Sequence, residues 1–506
     1  MHPNENDSNG ETDSGTNKVT GWRPGAALGI LVLAVTLICV DGTVLYLAIP
    51  ALTADLSPSA AEILWIGDIY SFVLAGLLVT MGNLADRLGR KRILLVGAAA
   101  FGVASTIAAF AQSAPILIIA RALLGVAGAT IMPSTLSIIR NLFPNQQQRT
   151  RAIAIMSAGA TAGGAIGPLV GGALLEHFWW GSVFLINVPI IVIILVTGVI
   201  LLPESKSTVP ITVDLLSSLL SFLTIVPFIY AVKELFSHGF TVKIVLAILI
   251  SSLCGYLFLR RGRVIETPML DTALFRIPKF SGAVFANLLT VFAFFGVLFF
   301  FSQYLQLVRG YSPLQAGLAE MPATLASVMV VAVIGWIMRR IGLGRGIALG
   351  LGLSALGLVW LALMVNTSEF LYLAIGLVVI GMGTGIAVTL STDAVVSAAP
   401  PSRAGAASSI SETAYELGVA LGIGVLGSLH TALYRAYLVI PAATPADTRE
   451  ALRESLATAA AALGRDDERF FPIAQAAFSH ATQTVAFVST GILLLATFIA
   501  WRIIRD

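Results

Sequence analysis

Charge is scarce in this sequence. Of its 506 residues only 11% are Asp, Glu, Lys or Arg, against about a quarter in a soluble globular protein. The 30 basic and 27 acidic side chains nearly cancel, leaving +3, too balanced for a nucleic-acid binder. Cysteine is scarcer still. Cys39 and Cys254 stand far apart inside apolar runs, so neither a disulfide framework nor a thiolate metal site is expected, and they read as small core residues. His177, His238 and His430 are scattered, with no metal spacing and no nucleophile beside them, which argues against both a metal centre and an enzyme. No G-x-x-x-x-G-K-[ST] loop occurs, so no nucleotide or other cofactor is expected. The first 25 residues are polar, and no basic n-region or small-residue cleavage site precedes the first apolar run. They read as a disordered tail, without a leader peptide.

Hydrophobicity fills the space that charge leaves. Hydrophobic residues make up 57% of the chain, and the mean hydropathy is +0.90. A chain this apolar cannot cover its own surface in water and belongs in a bilayer. About 20 apolar residues cross a hydrocarbon core of ~30 Å. Fourteen runs have that character: 26–50, 61–83, 92–112, 116–139, 150–174, 181–202, 213–232, 242–259, 280–304, 314–338, 345–365, 370–398, 406–430 and 482–504. The fold class is therefore an all-α integral membrane protein with 14 transmembrane helices. An even count puts both termini on one side. Counting short loops, one side holds 17 Lys and Arg, including Arg87 to Arg92, Arg260 to Arg263 and Arg339 to Arg345, and the other only Lys233, Lys243 and Arg309. The positive-inside rule then makes the termini cytoplasmic, in the plasma (inner) membrane. Residues 431–481 form a long outer segment with an alanine-rich stretch from Asp447 to Leu463. It reads either as a partly helical hairpin over the outer mouth or as an inert loop.

Two loops match each other. Gly82-Asn-Leu-Ala-Asp86-Arg87-Leu-Gly89 joins spans 2 and 3, and Gly335-Trp-Ile-Met-Arg339-Arg340-Ile-Gly342 joins spans 10 and 11, with Arg339 where the first has Asp86. Such internal symmetry is what transporters show, because two related halves rock around a midplane site.

An ionisable residue at mid-helix in lipid costs about 2.5–3.5 kcal/mol or more, so each is a functional hypothesis. The candidates are Asp41, Asp68, Arg121, Asp393, Glu412 and Glu416, with Glu320 near the outer end of span 10. The acids outnumber the single base, so they cannot all be paired, and a carboxyl left unpaired in low dielectric takes up a proton. Asp41 lies roughly 22 Å into span 1 at 1.5 Å per residue, past the midplane. Glu412 and Glu416 share one face of span 13. A carboxylate among aromatic groups also attracts a lipophilic cation, so one site can exchange a proton for a cation. Asp68, between Trp65 and Tyr70, is a candidate for cation recognition, although Trp65 itself reads better as an interfacial anchor. Span 9 carries seven phenylalanines between Phe285 and Phe301, among them Phe292. Most pack or face lipid, and one or two line a cavity. Span 5 carries Gly159, Gly163, Gly164, Gly167-Pro168 and Gly171-Gly172, glycines four apart that let helices approach closely, with a proline kink.

The loop Gly82 to Arg92 resembles the major facilitator superfamily signature between spans 2 and 3. Arg121 with Gly125 resembles its span 4 motif, and Gly163 to Gly172 the span 5 motif of its antiporters. Val40-Asp41-Gly-Thr-Val44 running on to Pro50, Leu64-Trp65-Ile-Gly-Asp68-Ile-Tyr70 and Glu412-Thr-Ala-Tyr415-Glu416-Leu-Gly418 are similar to the fourteen-span drug:proton antiporters of the QacA, SmvA and LfrA group. The resemblance implies a major facilitator fold: a six-helix bundle over 26–202, two additional helices over 213–259 and a second bundle over 280–504. It implies proton-coupled export of lipophilic, mostly cationic drugs from the cytoplasm, namely quaternary ammonium antiseptics, dyes such as ethidium, and fluoroquinolones. The alternative is a dedicated exporter of one self-made metabolite or antibiotic. Proton coupling falls to Asp41, Glu412, Glu416 and Arg121, and substrate contact to Asp41, Asp68, Tyr70, Phe292, Tyr415 and Glu416. Gating falls to Gly82, Asp86, Arg87, Gly89 and Arg90 in the loop and to Gly163, Gly167, Pro168 and Gly171 in span 5. The expected partners are membrane lipid, small cationic drugs and protons, with no nucleic acid, and the expected unit is a monomer.

Overall fold

A computed structural model describes residues 22–206, 214–265, 274–399, 404–442, 444–464, 467 and 469–504. Most of the expected polar tail, residues 1–21, lies outside the described residues. The helices are α1 Arg23–Leu56, α2 Ala60–Leu88, α3 Arg90–Ala109, α4 Ala114–Leu142, α5 Gln146–His177, α6 Ser182–Leu185, α7 Asn187–Leu201, α8 Leu215–His238, α9 Val242–Gly262, α10 Pro278–Leu307, α11 Pro313–Ile341, α12 Leu343–Met364, α13 Phe370–Ala398, α14 Ala404–Leu421, α15 Gly427–Tyr437, α16 Ala446–Glu454, α17 Leu456–Leu463 and α18 Phe471–Ile503. A π-helical turn, Gly422–Leu426, joins α14 to α15. Among the described residues thirteen spans are long and apolar enough to cross a membrane, with α6–α7 one of them and α14–α15 another; the bent helix α11 brings the number to fourteen. The all-helical membrane class read from hydropathy is the observed one.

The internal repeat extends beyond the matched loops. Ser59 and Glu62 form a capping box at the start of α2, with Ser59 N–H donating to Glu62 Oε2 at 2.9 Å. Ser312 and Gln315 form the same box at the start of α11, with Ser312 N–H donating to Gln315 Oε1 at 3.0 Å. Each box satisfies amide donors that the first helical turn leaves free. Both helices then end on a positive-φ glycine, Gly89 at 118° and Gly342 at 83°. Here only glycine avoids a steric penalty. Around Gly89 the turn is also filled: the two carboxylate oxygens of Glu204, just beyond α7, accept from Lys91 N–H and Arg92 N–H at 3.2 Å each.

α1 packs along α5, α2 against α4, and α3 against α4 and α7. In the second half α12 packs on α13 and α18, and α10 on α13, α14 and α18. The two sets meet where α5 touches α11, α2 touches α14 and α1 touches α10. α8 and α9 pair with each other, and α8 reaches both α2 and α15. At the end far from the basic loops the halves are closed on one another. Gln306 Nε2 donates to the Leu47 carbonyl at 3.1 Å. Gly172 of α5 is so close to α11 that a Cβ there would lie 2.7 Å from Leu314 Cα.

The long segment near the C-terminus is shorter than its polar composition suggests. α15 continues to Tyr437, and α18 already starts at Phe471 rather than near residue 482. Apolar packing extends both helices: Phe478 of α18 lies 4.5 Å from the ring of His430, which stacks on Phe300 at 4.0 Å. The alanine-rich stretch forms α16 and α17, broken at Ser455. α17 packs on α1, α10 and α18, and Glu454 Oε1 accepts from Ala60 N–H at 2.6 Å. The hairpin thus straps the start of α2 to the second half.

Substituting Gly89→Ala forces a Cβ to 2.8 Å from Glu204 Oε1 at a φ that alanine disfavours. The expected loss is about 1–3 kcal/mol, read as a lower thermal midpoint in detergent. An unchanged midpoint would show that the loop relaxes freely.

Candidate functional site

The first half holds a knot of buried polar groups contributed by five helices. Asp41 on α1 is fully buried (0% exposed). Arg121 of α4, 1% exposed, donates from Nη1 to Asp41 Oδ2 at 3.0 Å. Asn187 Nδ2, at the start of α7, donates to Asp41 Oδ1 at 2.7 Å and to Ser105 Oγ of α3 at 3.1 Å. Arg121 Nε also donates to the Ile66 carbonyl of α2 at 3.2 Å, and its guanidinium lies 4.8 Å from the Tyr70 ring centre. Every charge in this knot therefore has an opposite charge, a hydrogen bond or an aromatic face. Asp41 and Arg121, two of the candidate intramembrane charges, are one ion pair. Asn187 and Ser105 carry no sequence signal, because neutral polar residues in apolar runs are common.

Asp68 is also paired, and by a residue assigned to a loop. The apolar run ends at Val232, so Lys233 counts as an outer charge by sequence. The structure instead places it inside α8 and buries it. Its ammonium lies 2.6 Å from Asp68 Oδ2 and 2.8 Å from Oδ1. It also sits 3.7 Å from the centre of the Trp65 ring. Trp65 is therefore engaged by a buried cation, a contact its reading as an interfacial anchor did not include, and Arg121 is not the only base in the spans.

The remaining acids have no basic partner among the described residues. Glu416 of α14 is buried and faces Ser71 of α2. Glu412, one turn away, is half-buried. Both approach Cys39 on α1, so these acids look across the junction between halves. Glu320 of α11 is 2% exposed and faces Ser302 of α10. Asp393 is exposed near the basic end of α13, outside this group. Beside Glu416 runs an aromatic row that bridges the halves. Tyr46 of α1 meets Phe295 and Phe299 of α10 edge-on at 6.4 and 5.6 Å, and Phe295 meets Tyr415 of α14 at 6.1 Å. Phe292 is buried, with its backbone against Gly422 in the π turn. Tyr46 was missed because a lone tyrosine in a first span has no sequence signature.

The loop residues lie apart from the acids, whereas the span 5 glycines pack on α1 beside Cys39 and Val40. Asp86 accepts from Arg90 Nε at 2.6 Å within its own loop, and Arg87 is exposed. A Cβ on Gly82 would touch Pro133 of α4 at 3.3 Å. Gly163, Gly167 and Gly171 form a smooth face of α5 on α1, where a Cβ at Gly163 would lie 2.6 Å from the Thr36 carbonyl oxygen. Pro168 lies on the neighbouring face, its carbonyl against Gly317 of α11. Among the described residues no group of His, Cys, Asp and Glu could hold a metal.

Residues 31–423 match the family model described as Major Facilitator Superfamily. The multidrug efflux pump LfrA of Mycolicibacterium smegmatis is 42% identical over 94% of this chain and 95% of its own. The methyl viologen resistance protein SmvA of Salmonella typhimurium is 36% identical, covering 83% and 85%. Among solved structures, a bacterial homologue of the human lysosomal transporter Spinster, in an inward-facing and unoccupied conformation, superposes with a TM-score of 0.68 at 16% identity, over 96% of this chain and 98% of that one.

Removing one member of a buried ion pair strands the other, which costs about 3–5 kcal/mol. Arg121→Gln is therefore expected to lower the detergent melting point further than the double variant Asp41→Asn with Arg121→Gln. Equal or additive losses in the melting curves would mean that the two groups do not act as a pair.

Proposed function

Because the chain belongs to the major facilitator superfamily, and so is a transporter and not an enzyme, we propose that it exports lipophilic organic cations from the cytoplasm in exchange for protons. The observation that carries this reading is the placement of Glu416 and Glu412 beside the aromatic row Tyr46, Phe295 and Tyr415 at the junction of the halves. A carboxylate supplies the charge that an organic cation needs, and aromatic faces add attraction of about 2 kcal/mol or more when desolvated. The same carboxylate, once its cation has left, takes a proton, since a bare charge in low dielectric is disfavoured. A proton and a drug cation thereby compete for one group. The names of the relatives support the cargo class, and methyl viologen is itself an organic dication.

In this reading Asp41, held by Arg121 and Asn187, passes protons to the Glu412–Glu416 site, while Asp68, Tyr70, Tyr415 and Phe292 surround the path of the drug. The two bundles, 26–202 and 280–504, rock against each other. The Asp86–Arg90 loop and the α5 glycine face serve as the moving contacts. The basic loops face the cytoplasm together with both termini, in the plasma membrane, and the closed end seen here is the outer one. The driving force is adequate: each inward proton gains about 2.3 kcal/mol per 100 mV and about 1.4 kcal/mol per pH unit.

Everted membrane vesicles with an imposed pH gradient test this. Ethidium is expected to accumulate and to leak back when a protonophore is added, and quaternary ammonium antiseptics should compete with it. Accumulation that ignores the protonophore contradicts the coupling, and transport confined to one compound favours a dedicated exporter. Asp41→Asn is expected to abolish uphill ethidium transport, and wild-type accumulation by this variant would remove Asp41 from the coupling path.

A dication needs more negative partners than a monocation, because each unpaired charge at mid-membrane costs several kcal/mol. Glu416→Gln is therefore expected to weaken export of a bisbiguanide or diamidine more than that of ethidium. Equal losses for both cargoes would leave Glu416 with proton coupling alone.

A further inference from the structure

We propose that Asp68 and Trp65 form a cation site which the protein fills with its own Lys233, and that return of this tethered ammonium expels the departing substrate cation. The proposal rests on the export reading above and adds the device that releases the cargo. The chemistry of the site is that of an organic-cation receptor. A carboxylate grips the ammonium through both oxygens, at 2.6 and 2.8 Å. The indole of Trp65 covers it at 3.7 Å, and the Phe72 ring stands 5.7 Å away. A free cation with apolar substituents would meet the same groups.

Stability alone does not account for the pair. Asp68 is 0% and Lys233 5% exposed, and a buried ion pair is often no more stable than well-packed apolar residues of the same volume. The choice of cation is also telling. Lysine is a compact charge on a flexible four-carbon stem, whereas arginine would lock the carboxylate with a rigid fork. The stem is rooted on α8, and the carboxylate on α2, which also packs against α14. The third wall is the π turn of the second half: a Cβ on Gly424 would lie 3.1 Å from Asp68 Oδ2 and 3.2 Å from Lys233 Cε. Carboxylate, ammonium and lid thus belong to three elements that shift relative to one another when the halves rock.

The location suits release. Asp68 lies two turns inside the basic-poor end of α2, and Lys233 near the same end of α8. The preceding residue, Gly67, packs on Phe299, whose ring meets Tyr46 in the aromatic row. A cation leaving Glu416 therefore reaches Asp68 on its way out. There it displaces Lys233, and the tethered ammonium, always at hand, takes the carboxylate back.

Ethidium and propidium share one ring system and carry one and two charges, so binding and vesicle transport of this pair test the proposal. Lys233→Gln is expected to bind propidium about tenfold more tightly and to turn it over more slowly, with KM and kcat falling together. Lys233→Arg is expected to bind propidium more weakly than wild type. Adding Asp68→Asn to Lys233→Gln should erase the gain. A Lys233→Gln protein that melts earlier but binds propidium no more tightly overturns the proposal and leaves the pair structural. In wild-type protein, labelling of Lys233 by a membrane-permeant amine reagent, read by mass spectrometry, should rise when propidium binds; no rise also overturns it. If wild type exports both dyes while these readouts stay flat, only the tethered-cation idea fails. If wild type binds neither dye, the export reading fails with it.

Discussion

A charge inside a hydrocarbon core must find a partner or be neutralised, at a cost of about 2.5–3.5 kcal/mol or more when it does neither. The interior of this protein is organised around that constraint. Asp41 is held by Arg121 and Asn187, and Asp68 by Lys233. Those two pairs use up the buried bases among the described residues, and Glu320, Glu412 and Glu416 have no basic partner there. The division matters for function. In the proposed cycle the unpaired glutamates are the acids that trade a proton directly for a cation, whereas Asp41 and Asp68 act through partners they already hold. The unpaired glutamates of α14 look onto α1 across the junction of the halves, and the proposed exchange would sit at that junction.

The packing holds the halves together at the end far from the basic loops. Glycines on α5 bring it against α1 within the first half, and at the basic-poor end α5 also meets α11 of the second half through Gly172 and Gly317. The α16–α17 hairpin reinforces that end, since Glu454 holds the first amide of α2 while Tyr434 of α15 donates to the Leu452 carbonyl at 2.7 Å. α8 is tied to the first half by the Lys233–Asp68 pair and to α9 along its length, so the additional helices are coupled to the central acids rather than simply appended.

Much of this was legible in the sequence, for physical reasons. Long apolar runs are unambiguous in a chain with so little charge, and the repeated Gly82–Gly89 and Gly335–Gly342 loops announced two related halves that the capping boxes at Ser59 and Ser312 extend. The individual acids were equally visible, because a carboxylate in an apolar run stands out. Their pairing was not. Asp41 meets Arg121 eighty positions later in the chain, and only the crossing of α1 and α4 brings them together. Lys233 was misplaced because a lysine at the edge of an apolar run looks like a loop residue, and its long stem lets the charge reach inward as readily as outward. The ends of α15 and α18 were misjudged for the opposite reason: polar His430 and the mixed sequence after it hid a helix that His430 itself anchors through Phe300, Phe478 and Thr482.

At the centre of this account is competition between a proton and a drug cation for the same buried carboxyls. The most direct measurement is proton release on binding, with purified protein in weakly buffered detergent titrated with ethidium while pH is followed. Competition predicts protons released in proportion to cation bound, a release that Glu416→Gln reduces. Saturable ethidium binding with no proton released across the range from mildly acidic to mildly alkaline pH would contradict it.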